Sequence, residues 1–146
     1  MLGAIKNIFN EKDFNELAPG KAAKSQLKGL DVTTAIETHM RWKARLAAYV
    51  DGRSKERLDP EQIAQDDQSI LGQWIHGVGG KIFGDEPGFP ELRESYARFH
   101  QCAAELVRKV ETGRRREAKK MLASGDYPKA SMLVIRLLSS LSNRVH

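Results

Sequence analysis

From Asp31 onward apolar positions recur at steps of three and four. Ile36, His39, Trp42 or Lys43, Leu46 and Val50 fall on one stripe, which predicts a long helix ended by Gly52. Asp59-Pro60 supplies an N-cap and a proline at the first helical position, with Gln62 in the first turn, so a short helical turn is expected there. A second helix is predicted over residues 66–75, closed by Gly77 and the Gly79-Gly80 pair. Gly84, Pro87, Gly88 and Pro90 make residues 81–90 read as a surface loop. A third helix starts near Pro90-Glu91 and carries Leu92, Tyr96, Phe99, Ala103, Leu106 and Val110 in alternating four-three steps, the seam of a packed helix. Gly113 interrupts or caps it, and a fourth segment spans roughly residues 114–124. After Gly125 a last helix presents Ala130, Leu133, Val134, Leu137, Leu138 and Leu141. No period-two strand pattern competes, so the expected fold is an all-α, antiparallel, four-helix-bundle-like domain.

The N-terminal stretch differs. Apolar residues of Met1 to Phe9 lie at near-helical spacing, Pro19-Gly20 breaks the pattern, and a Lys-rich segment follows. Residues 1–30 therefore read as an arm and linker, and residues 31–146 as the bundle. The arm is expected to be a short helix packed on the bundle or a frayed end, with docking to a partner or membrane surface as the alternative.

A chain of 146 residues can bury one core, and 40% hydrophobic with 29% charged residues places it among ordinary globular proteins rather than disordered ones. No apolar run approaches the roughly 20 residues that span a bilayer, and the N-terminus lacks the order of a signal peptide, so a cytoplasmic protein without stable membrane insertion is expected. Cys102 is the only cysteine, which excludes an internal disulfide. The net charge of +5 raises the question of nucleic acid, and Arg114-Arg115-Arg116 with Lys119-Lys120 is the densest basic run. No aromatic residue interleaves with that run, so it reads as a solvated helix face and no nucleic-acid partner is expected.

Candidate chemistry gathers in three places: His39-x-x-Trp42-Lys43, the segment Asp66-Asp67-Gln68-Ser69-Ile70-Leu71-Gly72-Gln73-Trp74, and Tyr96 with Phe99-His100. Together they resemble the chemoreceptor zinc-binding (CZB) family, which carries a histidine on one helix, a cysteine in a D-C-x-L-G-x-W segment, and an H-x-x-x-H pair on a third. The resemblance runs over about residues 33–141 and takes in Leu58-Asp59-Pro60, the Gly84 loop and Gly125-x-Tyr127. It implies that His39 and His100 stand at the first and last zinc-ligand positions. Ser69 then stands at the cysteine position and Tyr96 at the first histidine of the pair.

The residue chemistry weakens that site. Zinc deprotonates a thiol at neutral pH, whereas a serine hydroxyl keeps its proton and is a poor ligand. Ser69 is expected to serve in helix N-terminal hydrogen bonding or packing. A phenol binds zinc only if the ion removes its proton, so Tyr96 is expected to fill space and hydrogen-bond, with His100 or His39 as partners. Asp66, Asp67 and His76 are the substitute donors to consider. Asp67 reads more simply as an acid complementing a helix start, and His76 as surface. Cys102 points to another face and reads as a buried structural thiol. Gly72 costs about 1 kcal/mol in a helix relative to alanine, so a close neighbour is expected at its backbone, either another helix or the Trp42 indole. Trp42 and Trp74 then hold the ligand-bearing helices together.

CZB domains are accessory sensor modules of bacterial chemoreceptors and diguanylate cyclases, so the resemblance implies a non-enzymatic signalling module. As a stand-alone, adaptor-like member it would act as a homodimer, through a partner such as a chemoreceptor or diguanylate cyclase, with zinc binding weakened or lost. Two readings stay open beside it. One is a competent sensor of zinc or another divalent metal using His39, His100 and substitute ligands. The other is a small zinc hydrolase, disfavoured because no glutamate sits at helical spacing from either histidine to act as base.

Overall fold

The computed structural model describes residues 26–145. A two-strand antiparallel hairpin opens it, β1 (Gln26–Leu27) and β2 (Leu30–Asp31), paired Gln26 to Asp31 and Leu27 to Leu30. Helices follow as α1 (Val32–Val50), α2 (Pro60–Ile63), α3 (Ile70–His76), α4 (Val78–Phe83), α5 (Phe89–Glu111), α6 (Arg115–Ala123) and α7 (Asp126–Val145). The described residues are all-α apart from this hairpin. Asp31 both ends β2 and caps α1, its carboxylate accepting from the Thr34 N–H at 3.1 Å. Asp59 caps α2 in the same way, accepting from Glu61 N–H at 3.0 Å.

The long helices α1, α5 and α7 enclose two apolar clusters. In one, Trp42, Leu46 and Val50 of α1 meet Phe99 and Leu106 of α5 and Tyr127 of α7. In the other, Val32 and Ala35 meet Phe89, Leu92 and Tyr96, with Val134 and Leu138. The early part of α1 thus pairs with the early part of α5 and the late part of α7. Hence α1 and α5 run the same way, with α7 against both, and the crossover through α2, α3 and α4 makes that possible.

Four local features differ from the pattern-based expectation. The hairpin was hidden because two-residue strands are too short to show a period of two; it nevertheless buries Leu27 and Leu30. The second helix starts at Ile70 rather than Asp66, because Ser69 caps it. Gly79 and Gly80 do not close that helix but lie inside α4, and a Cβ at Gly79 would stand 2.6 Å from the Trp74 ring. Finally, Lys81–Phe83 are helical and Phe89 is a buried first residue of α5, so the predicted loop is shorter. The amphipathic pattern at residues 1–9 and the Pro19-Gly20 break lie outside the described residues.

Candidate metal site

The α1 stripe carries His39 into the interior, where it is 6% exposed. Its Nε2 lies 2.9 Å from Ser131 Oγ on α7, and its ring packs at 4.5 Å on Phe99. Burial, with smaller contributions from Lys43 and His100, pulls its pKa down to about 3. The imidazole is therefore neutral at ordinary pH.

His100 sits one turn after Tyr96 on α5, as the i, i+4 spacing requires. Its Nδ1 lies 2.8 Å from the Ile63 carbonyl at the end of α2. A carbonyl can only accept, so Nδ1 carries the hydrogen and the neutral ring keeps its lone pair on Nε2. Burial lowers the His100 pKa to about 4, against opposing contributions from the Ile63 carbonyl and Asp66. The Tyr96 ring meets the His100 ring edge-on at 4.6 Å.

Ser69 and Tyr96 are bonded to each other, Oγ to Oη at 2.6 Å, and both are buried. Ser69 Oγ also accepts from the Gly72 N–H at 2.9 Å, the N-cap bond of α3. One serine hydroxyl thus starts α3 and ties it to α5. Burial pushes the Tyr96 phenol well above the usual tyrosine range, despite the Ser69 hydrogen bond. The neutral phenol is the only form the site supports without an added cation.

The substitute donors point elsewhere. Asp67 is exposed and accepts from the Gln68 side chain at 3.2 Å; capping of α3 falls to Ser69 instead. Asp66 Oδ1 pairs with the half-exposed His76 at 3.1 Å. Asp66 also accounts for Gly72: a Cβ there would lie 1.7 Å from the Asp66 carbonyl oxygen. That carbonyl, not the Trp42 indole, is the close neighbour. Trp42 and Trp74 fall in different clusters; Trp74 donates from Nε1 to the Lys28 carbonyl at 2.7 Å, fastening the hairpin. Cys102 is partly rather than fully buried, against the first cluster, with its thiol pKa raised by burial.

Two partners of the site escaped the sequence reading, Ser131 and the Ile63 carbonyl. Ser131 had a signal: it interrupts the buried stripe of Tyr127, Ala130 and Val134, where a polar side chain needs a partner. A backbone carbonyl has none.

Among the described residues no group of three or more His, Cys, Asp or Glu side chains converges to hold a metal ion. The four positions that the sequence resemblance marks as ligands, His39, Ser69, Tyr96 and His100, offer two neutral imidazoles, a hydroxyl and a phenol held in its neutral form. A closed zinc site uses about four donors and commonly thiolate or carboxylate charge, so this set does not fit it.

The model of the chemoreceptor zinc-binding domain family matches residues 39–107. No curated protein and no solved structure matches the chain. The matched span begins at His39, passes through Ser69 and Tyr96, and includes His100. Residues 39–107 are thus similar to the chemoreceptor zinc-binding domain family, whose members are zinc-binding signalling modules of chemoreceptor type, and the match is consistent with a member of that family.

Proposed function

We propose that this is a non-enzymatic regulatory module of the CZB type in which direct hydrogen bonds replace the metal, so that zinc binding is weakened or lost. The observation that carries the reading is the 2.6 Å bond between Ser69 and Tyr96, formed between two of the four ligand positions. A zinc ion would tie α1, α3 and α5 through one centre. Here Ser69–Tyr96 ties α3 to α5, His100–Ile63 ties α5 to α2, and His39–Ser131 ties α1 to α7. Output then passes through contacts, as a homodimer or to a partner such as a chemoreceptor or diguanylate cyclase. Elemental analysis of untagged protein after dialysis against a moderate chelator tests this: well under one zinc per chain is expected, and stoichiometric zinc overturns it.

One observation favours a competent metal sensor instead. The Nδ1–H of His100 is fixed on a backbone carbonyl, the arrangement that usually holds a metal-bound histidine in the right tautomer. Under that reading, added zinc raises the thermal midpoint of the native protein, and His100→Ala abolishes the rise.

A further inference from the structure

We infer that α6 is an electrostatic docking face for an acidic protein segment. Residues 112–124 hold five cations, Arg114, Arg115, Arg116, Lys119 and Lys120, against the single acid Glu117, which is +4 out of the net +5 of the whole chain. That surplus sits on one short helix of which only Ala118 is buried.

The cations divide by task. Arg115 donates from Nη1 to the Tyr49 and Val50 carbonyls, capping the end of α1 and fixing α6 to it. Glu117, the one acid available to neutralise the helix, is hydrogen-bonded to Lys109 of α5 at 3.1 Å and lies at the edge of salt-bridge range from Arg114, 3.9 Å. Arg116, Lys119 and Lys120 remain, at i, i+3 and i+4, hence on one face, directed away from buried Ala118. All three are exposed and form no hydrogen bond or salt bridge among the described residues. Lys120 acts on Glu117 only through space, without a salt bridge, and exposed cations so placed on a helix anchored through its other face present a fixed positive field to solvent.

Helix composition selects the partner. Met121 and Leu122 pack inward against the first apolar cluster, so α6 has no apolar face to lay into a bilayer. No aromatic side chain lies on the exposed face for bases to stack on. A Glu/Asp-rich helix or strand face of another protein meets the three cations with complementary charge and asks nothing else of the surface. This inference rests on the reading that output passes through a partner, and it names that partner's chemistry.

The test uses the full chain and a Glu-rich helical peptide, with duplex DNA and phosphatidylserine-containing vesicles as competing probes, at about 0.15 M salt where unpaired surface charges are screened beyond about 8 Å. Peptide binding is expected, weakened about tenfold or more by Arg116→Glu with Lys119→Glu and Lys120→Glu. A control triple, Lys81→Glu with Lys129→Glu and Arg136→Glu, changes net charge equally and is expected to leave binding within about twofold. Equal losses in the two triples would show that net charge alone acts and overturn the inference. So would tighter binding to DNA or vesicles than to peptide, or no peptide binding at that salt. Circular dichroism of both triples confirms folding. Zinc content does not enter this experiment, so it and the metal test can fail independently.

Discussion

Ser69 Oγ and Tyr96 Oη, 27 positions apart in the chain, share a buried 2.6 Å hydrogen bond that joins the N-terminus of α3 to the first half of α5. Tyr96→Phe removes one end of the bond and leaves Ser69 capping Gly72, and it is expected to cost about 1 kcal/mol. Ser69→Ala strips the cap and strands a buried phenol, with an expected cost of about 2–3 kcal/mol. Urea denaturation of both singles and the double should show coupling of about 1 kcal/mol, and strict additivity would mean the bond contributes nothing.

Restoring the ligands should restore the metal. Ser69→Cys with Tyr96→His places a thiolate and an imidazole where α3 and α5 already meet, beside His100. Zinc at about 100 times its dissociation constant then adds about 2.7 kcal/mol of stability, read as a rise in thermal midpoint in the double variant and not in the parent. A double variant indifferent to zinc would show that His39, held on Ser131, does not turn to join the set.

Acid should destabilise the fold through its buried histidines. His39 and His100 have folded pKa values lowered to about 3 and about 4, so below the unfolded value near 6.5 the unfolded chain takes up protons the folded one refuses. Stability contributed by neutral imidazoles is present above about pH 6.5 and lost as pH falls toward 4. The expected loss is about 2 kcal/mol per histidine between pH 7 and pH 5. Denaturant titrations at intermediate pH measure it, and a flat profile across that window contradicts the buried neutral state.

Gly72 should be among the least replaceable residues. A Cβ there meets the Asp66 carbonyl at 1.7 Å, so Gly72→Ala must push the 66–69 turn off α3, at an expected cost of about 3 kcal/mol or more. Gly113→Ala, at φ +80 with no atom within 4 Å, is expected to cost about 1–2 kcal/mol from backbone strain alone. Comparable unfolding midpoints for the two variants would refute the packing explanation.

Removing residues 1–29 should be worse than removing residues 1–25. The longer deletion takes Leu27 out of the core and the Lys28 carbonyl from Trp74. A difference of about 2–4 kcal/mol is expected between the two truncations. Thermal scans of both decide it, and equal midpoints would mean the hairpin adds nothing to the bundle.

Much of the architecture was legible in the residues. The stripe from Ile36 to Val50 and the seam from Leu92 to Val110 encode helices and their inward faces, because side-chain direction repeats every 3.6 residues whatever the helix later packs against. Asp59 and Gly113 mark ends because capping is local chemistry. The motif residues His39, Leu71-Gly72-x-Trp74 and His100 carry the resemblance to the family, and all lie within the matched residues 39–107.

Tertiary structure decided the partners. Periodicity directs His39 inward but cannot say that Ser131, 92 positions away, waits at 2.9 Å. It offers Tyr96 a histidine, whereas the fold delivers Ser69, and it offers Gly72 the Trp42 indole, whereas the fold delivers the Asp66 carbonyl. A helical face is a property of near neighbours in the chain, fixed by backbone geometry. Which groups meet across that face depends on helix direction, crossover and depth, and those arise from the packing of all the elements at once.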